Sequence, residues 1–153
     1  MRPLLVFLLL VPLLASGPGC AHAQRTEATA GLKRTAEQFH QRVRWKDFRS
    51  ASELLVPGRR RPFADARDRG QDERNLAISD YELEQLTLAE DGLSGTVVSR
   101  MSWTRLPSLA EQSEVVRSEF VLLHGQWLLA EQDKGPFADV LGAPWDPGEP
   151  TPR

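Results

Sequence analysis

A chain of 153 residues points to one folded domain, and 41% apolar with 26% charged residues is an ordinary globular balance. A formal net charge of −2 excludes the basic footprint of a nucleic-acid binder. The single cysteine, Cys20, excludes a disulfide within the chain.

Residues 1–19 read as an export signal outside the fold. Arg2 supplies a short positive region, and residues 4–14 (LLVFLLLVPLL) are apolar. That run is too short to span a bilayer, and Pro12 interrupts it. Two cleavage points compete. Cys20 follows Ser16-Gly17-Pro18-Gly19, which resembles the bacterial lipoprotein signal, where the cysteine becomes the lipidated first residue. Ala21-His22-Ala23 is a small-x-small site that would leave Gln24 first. The expectation is an exported periplasmic or outer-membrane lipoprotein, lipidated at Cys20 and touching the membrane through that anchor alone.

Residues 20–28 read as a tether, 29–141 as the folded domain, and 142–153, with four prolines and no apolar period, as a disordered tail. A helix is predicted over residues 29–44. Leu32, Ala36, Phe39 and Val43 fall on one helical face, with His40 on its flank as a half-buried polar residue. The next apolar position, Phe48, comes five residues after Val43, which a straight helix cannot keep on the same face. The slip predicts a break at Trp45-Lys46-Asp47. Asp47 would cap a second helix over 48–56, Trp45 would cover the end of the core, and Pro57-Gly58 would end the helix. In residues 58–74 (GRRRPFADARDRGQDER), six arginines interleave with Asp65, Asp68, Asp72 and Glu73. This reads as a solvated face of mixed charge, held inward by Phe63, ahead of an anion-binding patch.

From Asn75 the period changes to two. Leu76 and Ile78, Tyr81 and Leu83, and Leu86 and Leu88 form three pairs, each out of phase with the last. Bulges near Ser79-Asp80 and Glu84-Gln85 would return them to one face. Asp91-Gly92 is a hairpin turn that pairs Leu88 with Gly95 and Leu86 with Val97. In the strand over 93–104, Leu93, Val97, Met101 and Trp103 face inward. His124-Gly125 is a second hairpin turn. It pairs Leu123 with Gln126, Leu122 with Trp127 and Phe120 with Leu129, and puts Val116, Phe120, Leu122, Trp127 and Leu129 on one face. Arg100, Arg117 and Glu119 take the opposite parity. The fold class is α+β: N-terminal helices packed on a curved antiparallel sheet of about four strands.

The segment Phe39…Trp45-Lys46-Asp47-Phe48, the Asp91-Gly92 hairpin and Gly125-Gln126-Trp127 together resemble the nuclear transport factor 2-like cone fold, which includes SnoaL-like proteins and ketosteroid isomerase. The resemblance spans about residues 30–137. It implies a pocket between the sheet and the helices, used for isomerase or dehydratase chemistry, for small-molecule binding or for protein contacts.

No metal site is legible, because His22, His40 and His124 lie far apart without ligand spacing. No phosphate loop, nucleophile elbow or cofactor motif is present. Candidates for acid–base work are His40, Asp47, Asp80 and Tyr81, and none matches a catalytic motif of the family. The favoured function is a non-catalytic module without cofactor. It would bind a small apolar ligand through Phe39, Phe48, Tyr81, Met101 and Trp103, or dock an envelope protein. The alternative is a SnoaL- or ketosteroid-isomerase-like enzyme using acid–base catalysis in the pocket.

Overall fold

The computed structural model describes residues 19–148. The export signal expected over 1–19 and the end of the tail therefore lie outside the described residues, apart from Gly19.

Helix α1 (Gly19–Arg44) starts ten residues earlier than expected, so residues 20–28 are helix where a tether was predicted. Ala21, Ala23, Gln24, Arg25 and Glu27 are good helix formers, and no proline interrupts them. Thr29 Oγ1 donates to the Arg25 carbonyl at 2.8 Å. Arg25 reaches the Leu88 carbonyl at 3.5 Å, which ties this segment to the sheet. The predicted stripe of Leu32, Ala36, Phe39 and Val43 is buried.

The break falls where the slip in the stripe placed it. Lys46 turns the chain with φ 64°. Asp47 caps α2 (Phe48–Ser52) by accepting the Ser50 N–H at 3.1 Å. Trp45 does not cover the core: it is 76% exposed. The tight corner sends both Val43 and Phe48 inward, and Trp45, within the corner, swings out. Helix α2 is shorter than predicted because residues 54–56 leave it to pair with the sheet. Leu129 N–H donates to the Leu54 carbonyl at 2.8 Å, and Val56 N–H to the Leu129 carbonyl at 3.0 Å. Pro57 starts a helix here, where the sequence suggested an end. It is the first residue of α3 (Pro57–Gly70), a position where its missing N–H costs nothing. Gln71, in the left-handed region, separates α3 from α4 (Asp72–Asn75).

Four antiparallel strands follow in the order β1 (Leu76–Leu88), β2 (Ser94–Arg105), β3 (Gln112–Leu123) and β4 (Gln126–Gln132). Both predicted hairpin registers are present. His124 and Gly125 have φ 50° and 77°, the doubly left-handed turn that suits a twisted hairpin. The register of β1 shifts between Ile78 and Asp80 and again between Leu83 and Gln85, as the phase changes required. The ten inward positions assigned on these strands, Leu93 aside, are buried in one core with α1 or packed against it. Leu93 is 56% exposed, because it belongs to the turn, where its N–H bonds Asp91 Oδ1. Short helix α5 (Ala138–Leu141) closes the core with Phe137 and Leu141.

The tail is held at its start. Arg59 donates to the carbonyls of Val140, Ala143 and Pro144 at 2.8–3.1 Å. Trp145 packs against Leu128, Ala130 and Val56 on the outer face of β4, and its N–H bonds Glu131 at 2.6 Å. Residues 143–145, at the start of the stretch read as a tail, thus contact the domain.

Candidate functional site

Two flanks of α1 border its buried stripe. On one of them His40 follows Phe39 and lies at the edge of the core, only 2% exposed. Burial exceeds the half-buried state expected for it, because the first bulge in β1 turns Tyr81 toward the helix. The two rings stack with centroids 3.7 Å apart and planes 17° from parallel. Phe39 meets the other side of His40 edge-on at 5.6 Å. His40 Nδ1 and Tyr81 Oη are shielded from solvent, and neither has a hydrogen-bond partner among the described residues.

Burial lowers the His40 pKa to about 3. Burial, reinforced by the negative charge of Glu37, pushes the Tyr81 hydroxyl above its usual range. At neutral pH both are uncharged. A cavity of about 450 Å³ opens beside them, lined by Glu37, His40, Gln41, Arg44, Trp45 and Tyr81. Trp45 stands on its rim, and the Lys46 turn together with the Asp47 cap fixes the corner that carries it.

The other candidates do not join this pair. Asp47 is spent on the cap, and its carboxyl is held below the usual range by the Ser50 hydrogen bonds and by Arg42. Asp80 is exposed on β1 just after the bulge. Glu119 lies on the opposite sheet face, accepting from Thr96 Oγ1 at 2.8 Å and from Arg117 Nε at 2.9 Å. No hydrogen bond links His40 to Tyr81. Of the five residues expected to line a pocket, Phe39, Phe48, Met101 and Trp103 are packed in the closed core, and Tyr81 alone reaches the His40 cavity.

A second polar feature escaped the sequence reading. Arg67 and Asp72, in the stretch read as a solvated face, are 2% and 1% exposed. Arg67 Nη1 lies 2.9 Å from Asp72 Oδ2, outside hydrogen-bond geometry, and donates to the Pro136 carbonyl at 3.1 Å. Arg67 also bonds Asp139, and Arg105 bonds the other oxygen of Asp72. The Arg67 guanidinium sits 5.2 Å from the ring centres of both Phe63 and Phe137. This network joins α3, α4, β2 and the segment before α5. Its one signal in the sequence is Phe63 four residues before Arg67, which puts the arginine on the inward face of the helix. Among the described residues, no group of three His, Cys, Asp or Glu is placed to hold a metal ion. No described helix is long and apolar enough to cross a membrane.

No protein-family model matches the chain, and no curated protein matches it. Among solved structures, it is similar to a SEC-C motif-containing protein from Rhodopseudomonas palustris. Identity is 24% over 76% of this chain and 90% of that one, with a TM-score of 0.57. It also matches the intermembrane-space region of the chloroplast protein ARC6, at 14% identity over 65% of this chain and 92% of that one, TM-score 0.46. Aln2 from a Streptomyces species matches at 16% identity over 69% of this chain and 88% of that one, TM-score 0.47. The nuclear transport factor 2-like assignment, SnoaL-like included, is corrected: the likeness to the SEC-C motif-containing protein is of the fold alone and gives that assignment no support. The residues that suggested it are turn and cap signals, which any helix-on-meander fold would use. The lipoprotein and signal-peptide assignment is withdrawn with it, since the SEC-C motif neighbour lends it no support. The likeness to the Rhodopseudomonas protein is one of fold: α+β, an N-terminal helix packed on an open four-stranded antiparallel sheet.

Proposed function

We propose that this domain is a non-catalytic binding module that takes a small apolar or aromatic group in the cleft between α1 and β1. The observation that carries the reading is the stacked His40–Tyr81 pair beneath an exposed Trp45, with two shielded polar atoms unpartnered. Buried polar groups are nearly always hydrogen-bonded, and each exception needs an explanation, which a polar atom on the aromatic ligand or a water carried with it would supply. An indole on a fixed corner gives a planar ligand a face to stack on. The ligand would sit at the margin of the sheet, beside the closed core and not inside it.

The displaced titrations argue against catalysis. A general base works best with a pKa near the operating pH. His40 is a weak base at about 3, and Tyr81 is a weaker acid than a free tyrosine. The pair can donate and accept hydrogen bonds but is poorly matched to exchange a proton with a substrate.

Native mass spectrometry of the full chain purified from its own cells tests the reading. A bound small molecule is expected, and it should be lost in Trp45→Ala and weakened in Tyr81→Phe. Unliganded wild type, joined by turnover of any substrate that disappears in Tyr81→Phe, would reverse the conclusion in favour of an enzyme.

A further inference from the structure

The other flank of α1 carries a second cavity, of about 700 Å³, between the helix, the start of α3 and the His124-Gly125 hairpin. Arg34, Arg42 and Arg60 line it, with Glu53 as its one carboxylate. Among the described residues none of the three arginines forms an ion pair. Arg42 Nη1 donates to the Ser50 carbonyl at 2.6 Å, and Arg60 Nε to the Leu55 carbonyl at 3.0 Å. These bonds fix two guanidinium groups while leaving most of their N–H donors free. Arg42 also steadies the Asp47 carboxylate across the α1–α2 corner. The Trp127 indole completes the wall. It packs so closely on Gly31 that a Cβ there would lie 3.1 Å from Trp127 Cδ1, and its N–H meets no acceptor among the described residues.

We infer that this cavity is an anion site for a small organic phosphate monoester, distinct from the Tyr81 cleft and independent of it. Three guanidinium groups in the lining stand against one carboxylate there, and Asp47 beside Arg42 offsets part of that charge, which leaves a positive excess that a phosphoryl group would neutralise. A single arginine fork satisfies a planar carboxylate. Donors arriving from two helices and an indole suit a tetrahedral group whose three oxygens point in different directions. The volume falls in the range of small-molecule pockets and leaves room for an organic part beside the phosphate. Of the six arginines in residues 58–74, Arg60 alone contributes, so the site could not be read from that charge run.

The test is a titration of the full chain with phenyl phosphate, inorganic phosphate, succinate and chloride at matched ionic strength. It is followed by the NMR signal of the Trp127 indole N–H. Phenyl phosphate should shift that signal most, and Arg34→Gln should weaken its binding at least tenfold. Arg34 makes no hydrogen bond or ion pair within the described residues, so this variant should keep the wild-type melting temperature. Glu53→Gln should strengthen binding by removing the opposing charge. A shift reproduced by chloride, a preference for succinate, or unchanged affinity in Arg34→Gln would each overturn the assignment.

Discussion

His40 is a histidine that the fold keeps uncharged, and this has a definite sign in stability. Its folded pKa of about 3 lies below the ordinary value of 6.5. Above pH 6.5 neither state binds the proton, and the folded protein has its full stability. Below it, the unfolded chain takes up a proton that the folded chain refuses. Stability should fall by up to roughly 1.4 kcal/mol per pH unit. The window from pH 6.5 to about 5 isolates this effect, because carboxylates titrate lower. Denaturant melts of wild type and His40→Phe over that window should show the slope in the first and a flat line in the second. Asp72 is the other residue with a large expected effect. Asp72→Asn leaves Arg67 buried beside a neutral amide, with Asp139 at the surface as its remaining carboxylate. Breaking a buried pair in this way costs about 3–5 kcal/mol, measurable as a lower denaturation midpoint. Spacing alone put His40 at the edge of the stripe. Its burial depended on Tyr81, forty-one residues later, and so was not legible.

Among the elements, the legible ones are those fixed by local chemistry. Asp91-Gly92, His124-Gly125, the Asp47 cap and the two bulges in β1 each follow from a few neighbouring residues, and all are present. Gly125→Ala should cost about 1–2 kcal/mol, the penalty of a left-handed backbone for a residue with a Cβ. Thermal melts should show the loss with no change in the far-UV spectrum. The elements misread are those whose ends are decided at a distance. Helix α2 gives up residues 54–56 to Leu129 on β4, and Pro57 can open α3 because that segment has already left the helix. Trp45 was expected to cover the end of the core at the break, and it is exposed instead. Helix α1 ends at Arg44 and Lys46 takes a left-handed backbone, which leaves Trp45 on the outside of the corner. Trp45→Ala should therefore change stability by less than about 0.5 kcal/mol, an ordinary surface value.

At the scale of the molecule, the α+β class, the order of helices before strands and the antiparallel meander were all legible in the change of period from 3.6 to 2. The Arg67–Asp72 network was not, because Arg105, Pro136 and Asp139 reach it from 33 to 72 residues away. Charge runs read one-dimensionally look solvated even when the fold buries a member of them. The family was not legible either, since short turn and cap signals specify local geometry without specifying ancestry.

The paired segment at residues 54–56 and the two bulges of β1 also bear on whether two copies of this sheet can join edge to edge. An open sheet has two borders with unmet backbone groups, and each is a template for self-association. Along β4 the chain's own residues 54–56 occupy part of that border. Along β1 Arg25 reaches the border at the Leu88 carbonyl, and the border is bent twice and carries exposed Asp80, Glu82 and Glu84. A second copy finds no straight, neutral ladder to extend. Removing Ser79 and Glu84 together would iron out both irregularities while keeping every inward side chain in phase. That double deletion should remain folded yet grow into large particles in light scattering at concentrations where wild type stays small. The interruptions in β1, awkward for reading the strand, would then be what keeps this sheet from stacking into fibrils.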